Sequence, residues 1–370
     1  MVDGLVGSEM CIRDSFGAGI TLGNNANHIY SQDLYGRGRT LAIPGFYNLS
    51  NASDLYTHEV HDIIRTTAIF FDANIDWKRM LYLQITGRNE WASTFGPNKN
   101  NFFYPSVNAS FILSEVIPEN DVLSFAKIRV GFAQAGINPD PYTSNTYFVQ
   151  PFFTDGFSDG LSFPYLGQNG FGNSDVLGND DLKPEKVTGI EGGLDIRLWN
   201  GRLNLDLTYY NQKSTDILVN RPIAASSGYE FFVSNSGEMV NKGIELVATG
   251  SPFRGKDFNW DITVNFTKNE NEVLKLEEGV DEIDIEVAFS SIGAFAIVGQ
   301  PYGLLYGAKW ARSDDGQIII DPNTGLPVIS PQRGAIGNPY PDWLMGIRNT
   351  FESVSYTHPT LPTSVIVLFS

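Results

Sequence analysis

Between residues 188 and 211, apolar and polar side chains alternate along two long limbs that meet at Asn200-Gly201. Leu194, Ile196 and Leu198 share one face of the first limb, and Asp195 and Arg197 share the other. On the second limb Leu203, Leu205, Leu207 and Tyr209 oppose Asn204, Asp206 and Thr208. A period of two predicts strands. Asn-Gly tolerates positive φ at both centres of a type I′ turn, so the limbs form a hairpin. Each limb has about ten residues or more, roughly twice the usual strand of a soluble sheet. About ten alternating residues is also the length that a tilted strand needs to cross a bilayer.

The pattern recurs. Residues 66–77 set Ile69, Phe71, Ala73, Ile75 and Trp77 against Phe70, Asp72, Asn74 and Asp76. A tight turn at Lys78-Arg79 leads into 80–91, where Leu81, Leu83 and Ile85 oppose Tyr82, Gln84, Thr86 and Arg88. Runs at 102–114, 125–135, 237–251, 258–268 and 343–351 alternate in the same way, and 303–311 is a shorter candidate. The connections alternate too. Lys78-Arg79, 115–123, Asn200-Gly201 and 252–257 are short, whereas 92–101, 136–185, 213–236 and 269–342 are long. Short turns at one end and long loops at the other make the pattern of an outer-membrane barrel. Parity assigns 258–268 an outward direction and 343–351 an inward one. The segment 303–311 is then an excursion beyond the membrane, paired with 317–321. About nine spanning strands result, fewer than the roughly 22 of a large transporter barrel.

Rings and charges agree with this layout. Trp77, Trp199, Phe253 and Phe258 fall at the short-turn ends, and Trp91, Phe103, Tyr104, Tyr209, Tyr210 and Trp343 at the long-loop ends. Aromatic girdles mark both interfaces of a membrane barrel. Asp72, Asp76, Arg88, Lys127, Arg129, Asp195, Arg197, Asp206, Glu245, Asp261 and Arg348 all sit on polar faces. A solvated sandwich would show the same alternation, so charge placement counts only together with strand length and loop order.

Composition adds little that conflicts. Charged residues make up 18% of the 370, low against about 25% in soluble domains. The net charge of −17 excludes nucleic acid as a partner. No run reaches the ~18 apolar residues of a membrane helix, a signal that barrels leave blank. The ends look foreign. Met10-Cys11-Ile12-Arg13-Asp14 and Val354-Ser355-Tyr356-Thr357-His358 can be encoded by reverse-complementary DNA, ATGTGTATAAGAGAC and GTCTCTTATACACAT. The shared sequence resembles a transposon end used in library adapters, so residues 1–15 and 354–370 are read as adapter translation around a barrel section at 16–353. The single cysteine, Cys11, is then not native, and the native segment needs no thiol chemistry.

Catalytic chemistry is sparse. His58-Glu59-Val60-His61 is one residue short of H-E-x-x-H and does not place both rings on one helical face. Asp314-Asp315-Gly316 and 321–325 read as turn chemistry. The acidic run from Glu277 to Glu286 reads as a solvated loop strand, with Ile283 and Ile285 alternating. No cofactor or metal is expected, and the chain does not read as an enzyme. The loop 136–185 is different. Tyr142, Phe152, Phe153, Phe157, Phe163 and Tyr165 lie among Gly, Asn, Asp and Pro, and such rings need something to pack on. Neighbouring loops, a partner and a stacking sugar all fit.

Five segments resemble SusC/RagA-type TonB-dependent outer-membrane transporters, in family order. They are Leu81–Thr94 (LYLQITGRNEWAST), Phe103–Val107 (FYPSV), Leu182–Lys186 (LKPEK), Gly237–Glu245 (GEMVNKGIE) and Ile336–Trp343 (IGNPYPDW). Glu90 and Ala92 stand where the family has Asp and Ser. The resemblance implies a section of an all-β, antiparallel up-and-down barrel in the outer membrane, with its apolar face on lipid. It implies a plug beyond this segment, a SusD-like lipoprotein lid, the TonB complex as energy source, and uptake of oligosaccharide or peptide. No substrate residue carries over from it. The readings without the resemblance are a soluble all-β carbohydrate-binding or glycoside-hydrolase domain and an adhesin-like surface protein.

Overall fold

The computed structural model describes residues 2–11, 15–97, 99–118, 120–150, 152–153, 161–289, 292–353 and 366–369. One antiparallel sheet dominates it. Strands β1 (Val2–Cys11), β2 (Phe16–Leu41), β3 (Ala52–Trp77), β4 (Leu81–Ala92), β5 (Asn101–Ile112) and β6 (Leu123–Ile137) follow one another across it. They continue into β7 (Glu185–Leu198), β8 (Leu203–Pro222), β9 (Phe231–Arg254) and β10 (Phe258–Lys275). The chain then leaves the sheet for β11 (Glu282–Phe289), β12 (Ile292–Ile297), β13 (Leu304–Gly307) and β14 (Gly334–Gly337), which form a small sheet of their own. It returns as β15 (Leu344–Ser353) beside β10, and β16 (Ile366–Phe369) pairs with β15. The large sheet is open, with β1 and β16 on its two edges.

Two turns show how the sequence sets the meander. Asn200 and Gly201 take φ of 55° and 77°, and Arg202 N–H donates to Trp199 O at 3.2 Å. That is the type I′ geometry expected of Asn-Gly. It locks Leu198 opposite Leu203 and hence Leu194 opposite Leu207. Lys78 and Arg79 repeat the geometry at φ of 49° and 57°, with Met80 N–H donating to Trp77 O.

Register then separates two faces. One row runs Phe111, Ile128, Leu194, Leu207, Leu246, Phe266, Met345 across seven strands. Among the described residues this face is left uncovered: Ile69, Val107, Val130, Leu207 and Ile244 all stand exposed on it. About nine residues per strand at ~3.3 Å rise and ~40° tilt make an apolar band roughly 23 Å tall, the height of a bilayer core. Aromatic contacts edge the band. Phe253, Phe258, Trp260 and Phe351 cluster at the short-turn end, and Phe266 stacks on Trp343 at the long-loop end.

The structure corrects the sequence reading in three places. Ten strands, not about nine, run in meander order between Phe16 and Ser353; the added one is β2. Two of the long connections shrink to 93–100 and 223–230, because the strands continue past the apolar band. The excursion 276–343 is folded, and Leu304–Gly307 pairs with β12 and β14 rather than with 317–321. The far end of that run keeps the expected pairing: Ile319 N–H donates to Ala311 O at 2.9 Å, and residue 312 bridges to Ile318. Residues 2–11 and 366–369 pair with the outermost strands, along edges whose N–H and C=O groups would otherwise be open.

Candidate functional site

The polar face of the sheet is a connected network. Arg129 on β6 reaches over β7 to β8, where it donates to Asp206 at 2.6 and 3.2 Å and to Thr208 Oγ1 at 2.6 Å. The residue it crosses is Gly193, where a Cβ would collide with the guanidinium. Tyr210 crosses Gly243 in the same manner and donates to Asn269 Oδ1 at 3.0 Å. Gln84 and Asn74 both donate to Asp72, Lys127 lies 3.8 Å from Asp195, and Ser251 donates to Asp261. Every charged residue assigned to a polar face from the sequence lies on this one face. A concavity of about 440 Å³ opens on it, lined by Asp76, Tyr82, Asn108, Arg129 and Glu191 among others. Such a surface costs little only if water or polar protein covers it.

At the long-loop end a second structure holds the loop 138–184. Leu182 is fully buried among Ala92, Phe95 and Val233, with Phe102, Val176 and Leu218 packed around them. Lys183 N–H donates to Asn235 Oδ1 at 2.9 Å, and Asn235 Nδ2 returns a bond to Lys183 O at 2.8 Å. Leu218 N–H donates to Glu185 Oε1 at 2.9 Å. Residues 176–177 add a short parallel pairing to β9. Lys99 meets Asp181 at 2.6 Å, and its ammonium holds the Asp181 carboxyl below the usual carboxylate range. Residues of the 81–94 and 182–186 segments thus meet in one lock, against β9 just ahead of the 237–245 segment. Their close spacing to loop ends gave no hint of it in the sequence.

The excursion 276–343 is fastened similarly. Val273, Leu276 and Ala296 form its base with Ile283, Phe295 is buried, and Arg333 lies 4.5 Å over Phe295 and 5.2 Å over Tyr306. Glu282 is 3.5 Å from the same arginine. Tyr302 N–H donates to Asn271 Oδ1 at 2.7 Å, and burial pushes the Tyr302 hydroxyl pKa up, with Tyr340 and Glu185 adding to the shift.

Where they are described, the rings singled out in the loop 136–185 have separate surroundings. Tyr142 is half exposed at positive φ, and its hydroxyl donates to His61 O on β3 at 3.4 Å. Phe163 is partly buried, with its ring against the Gly170 backbone. Tyr165 is exposed and pairs through its backbone with Gln168. Phe152 and Phe153 pair through their backbone with 161–162, and Phe157 lies outside the described residues.

A long antiparallel meander with an apolar face on lipid and a charged inner face defines an outer-membrane β-barrel. The chain belongs to the TonB dependent receptor-like, beta-barrel family, which matches residues 9–361. It is 27% identical over 340 residues to TonB-dependent receptor P26 of Formosa agariphila, covering 85% of this chain and 33% of that protein. It is 26% identical over 243 residues to TonB-dependent receptor SusC of Bacteroides thetaiotaomicron, covering 62% of this chain and 24% of SusC. Among solved structures, the RagAB peptide transporter superposes on 95% of this chain and 39% of its own, with a TM-score of 0.75 at 20% identity. The chain spans about a third or less of the curated relatives it matches. Membership places it with TonB-dependent receptor barrels of the outer membrane and not with soluble β domains.

Proposed function

We propose that the intact protein imports oligosaccharide or peptide oligomers across the outer membrane, driven through TonB, beneath a SusD-like lipoprotein lid. The observation that carries this reading is the continuous polar face, which is wide and charged and, among the described residues, has no element packed over it. In a closed barrel that face lines the lumen, the short turns lie on the periplasmic side and the locked loops face outward. The lock holds the root of the loop 138–184 in place while Tyr142 and Tyr165 stay half open, as capture of ligand or lid requires. Tyr142, Phe152, Phe153, Phe157, Phe163 and Tyr165 are proposed as the loop positions that meet substrate or lid. Residues 1–15 and 354–370 are proposed as adapter translation. The genomic reading frame tests that point: native codons at either end would refute it.

The experiment for the transport reading is fractionation of the native strain, followed by gentle purification of the complex. Recovery with outer membranes together with a surface lipoprotein encoded next door is expected. Recovery as a soluble monomer would refute the reading.

A further inference from the structure

Strands β2 and β3 run on past their neighbours as a two-stranded ribbon, with pairs from Asn27–Thr66 up to Leu41–Ala52. A bare ribbon in water has no core to bury rings in, yet this one displays them. On one face Gln32 lies opposite His61 and Leu34 opposite Glu59, with Tyr30 one pair below. The Tyr30 and His61 rings are 5.9 Å apart and tilted by 57°. Tyr30 hydroxyl donates to Gln32 Oε1 at 3.4 Å, and Gln32 Nε2 donates to Glu59 Oε1. His61 Nε2 lies 2.8 Å from the same carboxylate oxygen. The hydroxyl of Tyr142 comes over from the loop 138–184 to His61 O. These groups are fixed by one another but remain open: Tyr30 is 56% exposed and Tyr142 46%.

From this constellation we infer a saccharide-binding subsite on the β2–β3 ribbon, formed by Tyr30, Gln32, Glu59 and His61 with Tyr142 at its rim. It rests on the uptake reading above and adds to it where, and by which groups, an oligosaccharide is first held. A pyranose has an apolar C–H face and a rim of hydroxyls. The Tyr30 ring suits the face, and the second oxygen of Glu59, which has no hydrogen bond among the described residues, suits the rim. An apolar protein surface would instead strip water from the Glu59–His61 pair without replacing its hydrogen bonds. An anionic oligomer would meet the Glu59 carboxylate.

The test uses the intact transporter in lipid nanodiscs, titrated calorimetrically with maltohexaose, cellohexaose and xylohexaose, and with an uncharged hexapeptide for comparison. Binding of at least one hexaose is expected. Tyr30→Ala and Glu59→Gln should each weaken it by about tenfold, the size of a lost ring contact or charged hydrogen bond. Tyr142→Phe, which keeps the ring, should change it by less than about twofold, within the reach of one long neutral hydrogen bond. The proteins must keep the wild-type heat-modifiable mobility, so that loss of binding is not loss of fold. Hexaose binding equal in wild type, Y30A and E59Q would overturn this subsite while leaving the uptake reading intact. Binding of the hexapeptide alone, or of none of the hexaoses, would overturn it as well. Failure of the uptake reading shows separately, as loss of outer-membrane fractionation.

Discussion

Arg129 reaches Asp206 only because residue 193, on the strand between them, has no side chain. Putting a methyl there pushes the guanidinium off its bidentate partner. Gly193→Ala should therefore lower stability by about 1–3 kcal/mol, the usual cost of overpacking. Urea unfolding of the intact protein in vesicles measures it; an unchanged midpoint would mean that the arm has room to spare. Facing direction gives a second contrast. Leu207 is on the lipid face, and Leu207→Arg should cost about 2–4 kcal/mol near the midplane. Asn108 lies on the inner face, across from Gly131 with Glu191 beyond, and Asn108→Arg should cost under about 1 kcal/mol by the same measurement. At this scale the sequence was highly legible. Alternation alone assigned the charges from Asp72 to Arg348 to one face, because a period of two leaves a side chain no other choice. The glycine saddles were not legible, since what crosses Gly193 depends on the register of two neighbouring strands.

Strand β2 shows where element reading failed. Phe16, Ala18, Ile20 and Leu22 do alternate, but Gly17, Gly19 and Gly23 separate them and Asn24-Asn25 follows, so local propensity argues for a loop. Pairing with β3 along its length overrides that propensity. Long loops failed differently: past the apolar band the strands keep pairing while their outer residues turn polar, so hydropathy ends before the strand does. The lock is an element-scale object, and Leu182→Ala tests it. A cost of about 2–5 kcal/mol is expected for such a buried leucine. Faster amide exchange should be confined to 93–100, 176–184 and 231–235; uniform acceleration through the sheet would mean the lock is not local. The Lys99–Asp181 pair adds a pH signature. The folded pKa of Asp181 is depressed, so its contribution is present at neutral pH and lost as pH falls through the carboxylate range, below about pH 4. Protease cutting within 138–184 should rise over that range, and Asp181→Asn should abolish the pH dependence, with cutting at neutral pH raised to the wild-type acid level.

As a whole the chain is a ten-strand section with two open edges, and edges with unpaired backbone groups template association. Expressed alone it should be insoluble; a monodisperse sample in detergent-free buffer would contradict the lipid-facing assignment. Architecture was legible at this scale because three weak signals agreed: strand length, the order of short and long connections, and rings at strand ends. None decides between sandwich and barrel alone, because no described residue covers either face. The central claim is that one face of this sheet meets lipid and the other an aqueous or protein-filled lumen. It is tested most directly by single fluorophores at Ile69, Val107, Leu207 and Ile244, against Asp72, Asn108, Asp206 and Glu245, in the intact protein reconstituted with brominated lipid. Strong bromine quenching at the first four positions and little at the second four is the expected result. Quenching that does not alternate along the strands, or is absent from both sets, would contradict the account.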